Sequence, residues 1–306
     1  MSSPTNLVRF IALSSLLLFT AVGISAQSLS PEPTPIPAGT GISLAPARVE
    51  VEMQPGAEIT LVVNLDYHST TTENSQPVRI VASLNDWTID RTGQVQFERA
   101  NTLPNSASSW LIYSPGETTV IPGNLHAIRV TISVPKDATP GDHLTALIVE
   151  QRPDNIKLNQ NRRQMVIRYR MAAVFYIKVP QLSRQGSLES LRAEARGDEV
   201  IITPVLKNAG NSVIRPVTWL KVTNSAGVAV VDLPQKESLP VLGGAELNQP
   251  TVLETRLAPG TYNVKYRVDF QDGTRPTEGI TELVIPASQR TSTGPTNRGL
   301  AVAANE

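Results

Sequence analysis

The chain has no cysteine among its 306 residues. A disulfide framework is excluded, and so is a lipid anchor on a cysteine exposed after export. Any domain here holds together by burying a core, which a chain of this length can supply. Histidine is nearly as scarce. His68, His126 and His143 stand singly, without the spacing of metal ligands, and read as exposed or incidental. Neither sign of charge is in excess, with 27 basic and 27 acidic residues, so no global field points to nucleic acid or to an anionic membrane. No G-x-S-x-G, H-E-x-x-H, glycine-rich phosphate loop or calcium-loop pattern occurs. The carboxylates are scattered, and an acidic pair assembled in space on a sandwich scaffold is the minor, enzymatic alternative. No cofactor and no metal are expected. Trp87, Trp110 and Trp219 stand alone and read as core or turn packing rather than as stacking platforms.

What is present begins with an export signal. Arg9 supplies a short positive region, Phe10 to Ile24 is mostly apolar, and Gly23, Ser25 and Ala26 offer cleavage after Ser25 or Ala26. The apolar run is too short to span a bilayer comfortably, and no later stretch is long enough. Residues 1–26 are therefore read as a signal peptide, with a periplasmic or secreted destination. Residues 27–40, rich in Pro and Ser, read as an extended linker.

From Gly41 to Pro286 the chain repeats short alternating segments with turn punctuation. Ile42–Met53 alternates, Gln54-Pro55-Gly56 turns, and Ile59, Leu61, Val63 and Leu65 line one face of the next segment. Val78–Leu84 and Ile128–Val134 repeat the pattern, and Arg91-Thr92-Gly93 reads as a hairpin-like turn. In His143–Gln151 the alternation places Leu144, Ala146 and Ile148 on one face. Alternation lapses over Pro180–Ser187, the best domain boundary. It resumes in Glu199–Leu206, Val213–Thr223, Val228–Leu233, Thr251–Leu257, Tyr262–Phe270 and Thr274–Ile285. Turn signals recurring roughly every ten residues, with no sustained helical period, predict an all-β chain of sandwiches. Residues 287–306 carry no pattern and read as a disordered tail.

One segment organises the rest. Met165, Ile167, Tyr169, Met171, Ala173, Phe175, Ile177 and Val179 fall on every second position, as a long half-buried strand requires. Its length predicts a bend, a bulge near Met171–Ala173, or one stretch exposed as an edge that invites pairing with another chain. Between Asn155 and Leu188 all the charges are basic: Lys157, Arg162, Arg163, Arg168, Arg170, Lys178 and Arg184. A solvated strand face explains this run, and capture of a partner's acidic groups is the alternative. A nucleic-acid stripe would need interleaved aromatics and a basic balance.

Several of these stretches together resemble the first domain of the periplasmic pilus-assembly chaperones. They are Ile42-Ser43-Leu44-Ala45-Pro46-Ala47-Arg48-Val49 with the following Gln-Pro-Gly turn, Glu58–Asn64, Ile121-Pro122-Gly123 before Ala127-Ile128-Arg129-Val130, and the long strand ending in Phe175-Tyr176. The resemblance covers about residues 41–180. It implies immunoglobulin-like β-sandwich domains in tandem, 41–180 and 188–286. It also implies a non-enzymatic chaperone that lends an edge strand to a pilin-like or other surface subunit. On that resemblance Met165, Ile167 and Tyr169 are the donor side chains, and Arg48 grips the subunit's terminal carboxylate. Where the family places a second, lysine anchor, Ala173 and Val174 stand instead; Arg168 and Arg170 are the nearest basic residues. The alternative is a structural or adhesive surface module in which the long strand is internal. Self-association through an exposed edge is a further expectation.

Overall fold

The computed structural model describes residues 41–68, 77–152, 168–197 and 199–287. The signal (1–26), the linker (27–40), nearly all of the tail, Met165 and Ile167, and the basic residues Lys157, Arg162 and Arg163 lie outside the described residues.

Ile42–Met53 reads in sequence as one alternating segment, but it forms two strands in different sheets. β1 (Gly41–Ala45) pairs antiparallel with β3 (Glu58–His68), whereas β2 (Arg48–Glu52) pairs parallel with β10 (Arg170–Val179). The break falls at Pro46, which has no N–H to give a ladder. Buried side chains change parity there, from Ile42 and Leu44 to Val49 and Met53, yet all four enter one core.

That core lies between two sheets. One has the order β1-β3-β8-β6, with β8 (Leu125–Ser133) and β6 (Leu111–Ser114). The other runs β2-β10-β9-β4-β5, with β9 (Gly141–Gln151), β4 (Val78–Ile89) and β5 (Val95–Arg99), while β7 (Glu117–Val120) also pairs with β4. Val63, Leu65, Ile128, Val130, Leu147, Phe175 and Ile177 fill the space between. Burying an aliphatic or aromatic side chain of this kind contributes about 1.5–3 kcal/mol.

Residues 186–285 build a second sandwich. Its sheets are β11-β12-β15, with β16 also on β12, and β14-β13-β17-β18. The strands are β11 (Gly186–Arg196), β12 (Glu199–Asn208), β13 (Val217–Asn224), β14 (Ala229–Glu237), β15 (Glu246–Asn248), β16 (Thr251–Leu253), β17 (Gly260–Asp269) and β18 (Thr277–Ile285). The described fold is all-β, as the sequence predicts, with a single 3₁₀ turn at Ser108–Trp110. Sequence reasoning missed β5, β6, β7 and β11. Every residue of β5 is exposed, and its alternation is only the two apolar residues Val95 and Phe97, too short to stand out. In β11 a register shift between Leu188 and Ser190 changes the parity, and Leu188, Leu191 and Ala193 still reach one core.

β9 departs most from its sequence reading. It is buried on both faces, Leu147 and Val149 toward the first core and Leu144, Ala146 and Ile148 toward a third apolar cluster. Trp87 and Tyr176 complete that cluster from the first sandwich, Val213 and Leu242 from the second. Polar contacts rim this layer. Asp142 N–H donates to Asn211 O at 2.9 Å, Val213 N–H to Asp142 Oδ2 at 2.7 Å, and Asn248 N–H to Arg91 O at 2.7 Å. The β4–β5 turn read from Arg91-Thr92-Gly93 docks here. Its Gly93 lies against Leu239 and Leu247, and Arg91 pairs with Glu246.

Candidate partner-binding edge and cleft

The organising strand has two different halves. Val174 to Lys178 of β10 lies between β2 and β9 and is internal. Arg170 to Ala173 pairs only with β9; among the described residues no strand occupies its other side. Register with β9 is continuous from Arg170 opposite Glu150 to Val179 opposite Gly141, so the bulge expected near Met171–Ala173 is absent. The described strand is accommodated by ending its neighbour early instead.

Backbone direction follows from two hydrogen bonds. Val174 N–H donates to Ala47 O on the β2 side, and Tyr169 O accepts from Gln151 N–H on the β9 side. Ladder groups alternate sides along a strand, so the N–H and C=O of Arg170 and Ala172 face the unoccupied lane. Arg168 and Arg170 are exposed, Met171 is 40% exposed, and Tyr169 is half-buried against the first core.

Arg48 opens β2 opposite Val174, at the end of that lane. It is four residues down the strand from Arg170, about 13 Å at about 3.3 Å per residue, so the structure does not bring Arg48 together with Arg168 and Arg170. It does bring Arg48 to Glu50, at 3.4 Å. Glu50 is also held by Lys178 at 2.7 Å and by Arg215 of the second sandwich at 2.6 Å. Burial pushes the Glu50 carboxyl up. The Lys178 hydrogen bond and the charges of Arg215, Lys178 and Arg48 outweigh that and hold it below its ordinary value. Arg215 lies 5.4 Å over the Tyr176 ring, and Tyr176 meets Trp87 edge-on at 5.0 Å. Burial pushes the Tyr176 phenol up to about 12 against the pull of Arg215, so the ring stays neutral beneath the guanidinium.

Sequence reasoning missed this hub. The i, i+2 pairing of Arg48 and Glu50 on one strand face was its only local signal, because Arg215 lies 165 residues from Glu50. Beside the hub is a cleft of about 310 Å³ between the sandwiches, lined by Lys178, Arg184, Val213, Arg215, Glu237 and Phe270 among others.

Glu50 gives a pH prediction. Its folded pKa lies below the unfolded value near 4.5. Its stabilising contribution is therefore present above that pH and fades as pH falls through the folded value. Melting curves of the parent and Glu50→Gln should differ at pH 7 and converge below about pH 4.5. A constant difference down to pH 3 would count against ionic stabilisation.

The remaining residues singled out by sequence are placed as follows. His143 is buried rather than exposed, its ring 4.3 Å from that of Trp110, with Nε2 2.9 Å from Thr139 O. Trp87 is core, and Trp219 lies beneath Arg267 at 5.2 Å on a sheet face. Among the described residues no three His, Cys, Asp or Glu are grouped to hold a metal, and no helix is long and apolar enough to cross a membrane.

No protein-family model matches this chain, and no curated protein matches it. The chain is similar in structure to fimbrial chaperones. A structure described as a chaperone–tip adhesin complex of CFA/I fimbriae biogenesis has 13% identity over 81% of this chain and 100% of its own, with a TM-score of 0.40. The class 5 fimbriae chaperone CfaA has 14% identity, covering 80% and 100%, with a TM-score of 0.38. The Pseudomonas aeruginosa CupB2 chaperone has 13% identity, covering 77% and 97%, with a TM-score of 0.36.

Proposed function

We propose that this chain is an exported, non-catalytic chaperone-like protein that holds fibre or surface subunits by strand addition. The added strand lies beside Arg168–Ala173. The observation that carries this reading is the lane on the β2 side of β10 that no strand among the described residues occupies, where Arg170 and Ala172 present main-chain donors and acceptors. An exposed ladder is a template for another chain, and main-chain hydrogen bonds supply its affinity. Met165 and Ile167 extend the alternation of β10 upstream and are the proposed donor side chains together with Tyr169. Arg168 and Arg170 offer charge along the rail, and Arg48 stands at its end for a carboxylate.

Ala172→Pro tests this directly. Its N–H faces the lane and not β9, so proline removes a docking donor and leaves the β9 ladder intact. The purified protein, Ala172→Pro and Arg48→Ala are each used to capture partners from the organism's own envelope extract. A small β-rich subunit held by the parent should be lost from Ala172→Pro, with the melting point nearly unchanged, and weakened in Arg48→Ala. Identical partners on all three proteins would sink strand addition. That outcome would favour a structural or adhesive module, to which the internal half Val174–Lys178 already conforms.

A further inference from the structure

The outer face of the sheet β14-β13-β17-β18 breaks a rule of strand pairing. Leu220 and Val222 of β13 and Val264 and Tyr266 of β17 point into the second core, so Trp219, Lys221, Lys265 and Arg267 lie on the opposite face. Register sets Lys221 directly opposite Lys265, and Trp219 directly opposite Arg267. Like charges facing each other across a ladder are destabilising, and these occupy the two inner strands of the sheet. The outer strands answer them only in part. Asp232 of β14 holds Lys221 at 3.1 Å, and Glu278 of β18 holds Lys265 at 2.7 Å. Glu278 stands opposite Arg267 yet bonds Lys265. Arg267 makes no ion pair among the described residues, and its guanidinium rests 5.2 Å over the half-buried Trp219 ring. Together with Leu220, these six residues line a dish of about 220 Å³. The face is open beside it, since Ile280, opposite Lys265, is 69% exposed.

We propose that this dish binds an acidic saccharide, seating one sugar ring that bears a carboxylate. A bound carboxylate relieves the opposition of Lys221 and Lys265 and gives Arg267 the anionic partner it lacks. Arg267 is exposed and held by the indole alone, so it can turn to that carboxylate at little cost. An inorganic anion would use the cations and leave the indole idle. A sugar ring uses both. Its C–H face packs on the electron-rich face of Trp219, while its hydroxyls find acceptors at Asp232 and Glu278 and donors at Lys221 and Lys265. A run of acidic side chains fits less well, because Asp232 and Glu278 flank the dish on both outer strands and would repel it. The site uses no residue of β10 and does not depend on strand addition.

The test titrates the full chain at low salt with trigalacturonate, a trimer of a carboxylate-bearing sugar, and with maltotriose, a neutral trimer. Calorimetry should find trigalacturonate about tenfold tighter, as one charge-assisted hydrogen bond gives. Arg267→Gln should bring that ratio toward one with the melting point nearly unchanged, since the side chain is exposed. Trp219→Ala should lose both sugars, and Trp219→Phe should keep part of the binding. Tryptophan emission should shift on binding in the parent and stay still in Trp219→Phe, because Trp87 is buried and Trp110 is stacked on His143. If acetate or inorganic phosphate binds as tightly as trigalacturonate, the dish takes an adventitious ion only. Maltotriose equal to trigalacturonate would overturn the acidic assignment, and hexaglutamate equal to it would make the ligand an acidic peptide. Absence of binding, or binding unchanged in both Arg267→Gln and Trp219→Ala, would overturn the site itself.

Discussion

Replacing Asp86 with alanine should lower the melting temperature by about 10 °C, from a loss of about 4 kcal/mol in a chain of this size. Asp86 projects from β4 on the face of Ile80 and Ala82 and is fully buried. Instead of a cation it has five donors. The N–H groups of Asn101, Thr102 and Leu103 lie at 3.1, 2.7 and 2.8 Å, and the hydroxyls of Ser106 and Ser108 at 2.5 and 2.6 Å. With its own proton on Asp86, Ser108 Oγ accepts from the Thr145 hydroxyl at 2.8 Å, and Thr145 Oγ1 lies 3.2 Å from Asn85 O. One carboxylate thus fixes the loop that closes this end of the first sandwich. Alanine strands several buried donors at once, and asparagine turns an amide N–H₂ toward groups that themselves donate, so Asp86→Asn should lose nearly as much. Burial pushes the Asp86 carboxyl up, but hydrogen bonds from Leu103, Ser106, Ser108 and Thr102 outweigh it and leave it below its ordinary 3.8. The stabilisation is therefore present above that value and fades as pH falls through the folded pKa. The gap between parent and Asp86→Asn should narrow below about pH 3.8. An Asp86→Ala protein that melts with the parent at pH 7 would refute the clamp.

Asp86 also marks where sequence reading stops. A lone aspartate in an alternating segment looks like surface, and its donors arrive from a loop 15 to 22 residues later. The long core strands were legible because one face of each meets apolar neighbours and the other does not, as in Ile59 to Leu65 and Ile128 to Val134. Where that contrast fails the reading fails with it: the wholly exposed β5 is missed as a strand, and β9 is read as a strand but not as one buried on both faces. In the candidate site, Arg48 and the alternation of β10 were legible through local pattern and resemblance. The end of β2 pairing at Val174, which makes half the strand an edge, depends on the crossing at Pro46. No periodicity announces such a crossing. Arg215 comes from beyond the presumed boundary and was invisible for the same reason as the donors of Asp86, whereas Arg184 lies within that boundary and was read only as one of the basic run.

That boundary carries the second large effect. Pro180–Ser187 reads in sequence as a polar lapse between domains, yet its backbone is laced to the turn at Asn208–Ser212. Asn211 and Ser212 N–H groups both donate to Ser183 O, at 2.9 and 3.1 Å, and Ser183 N–H donates to Asn211 Oδ1 at 2.6 Å. Gly210 permits this approach. A Cβ there would stand 2.1 Å from Ser183 O and 2.6 Å from Ser183 C, both backbone atoms that no rotamer change can move aside. Gly210→Ala should therefore cost about 3 kcal/mol and about 8 °C, at the upper end of overpacking penalties. Gly116→Ala meets nothing nearer than Tyr113 at 3.8 Å and should stay within about 0.5 kcal/mol. The damage should also spread across the junction, because Asn211 O accepts from Asp142 and Asn211 Nδ2 reaches Pro140 O at 3.3 Å. Hydrogen exchange at the Asp142 and Val213 amides should accelerate in Gly210→Ala beyond that in the inner strands β3 and β8. If the variant melts with the parent and those amides stay protected, the connection yields like an ordinary linker. The relative placement of Arg184 and Arg215 against Lys178 would then have to be fixed by the apolar layer around Trp87 and Tyr176 alone.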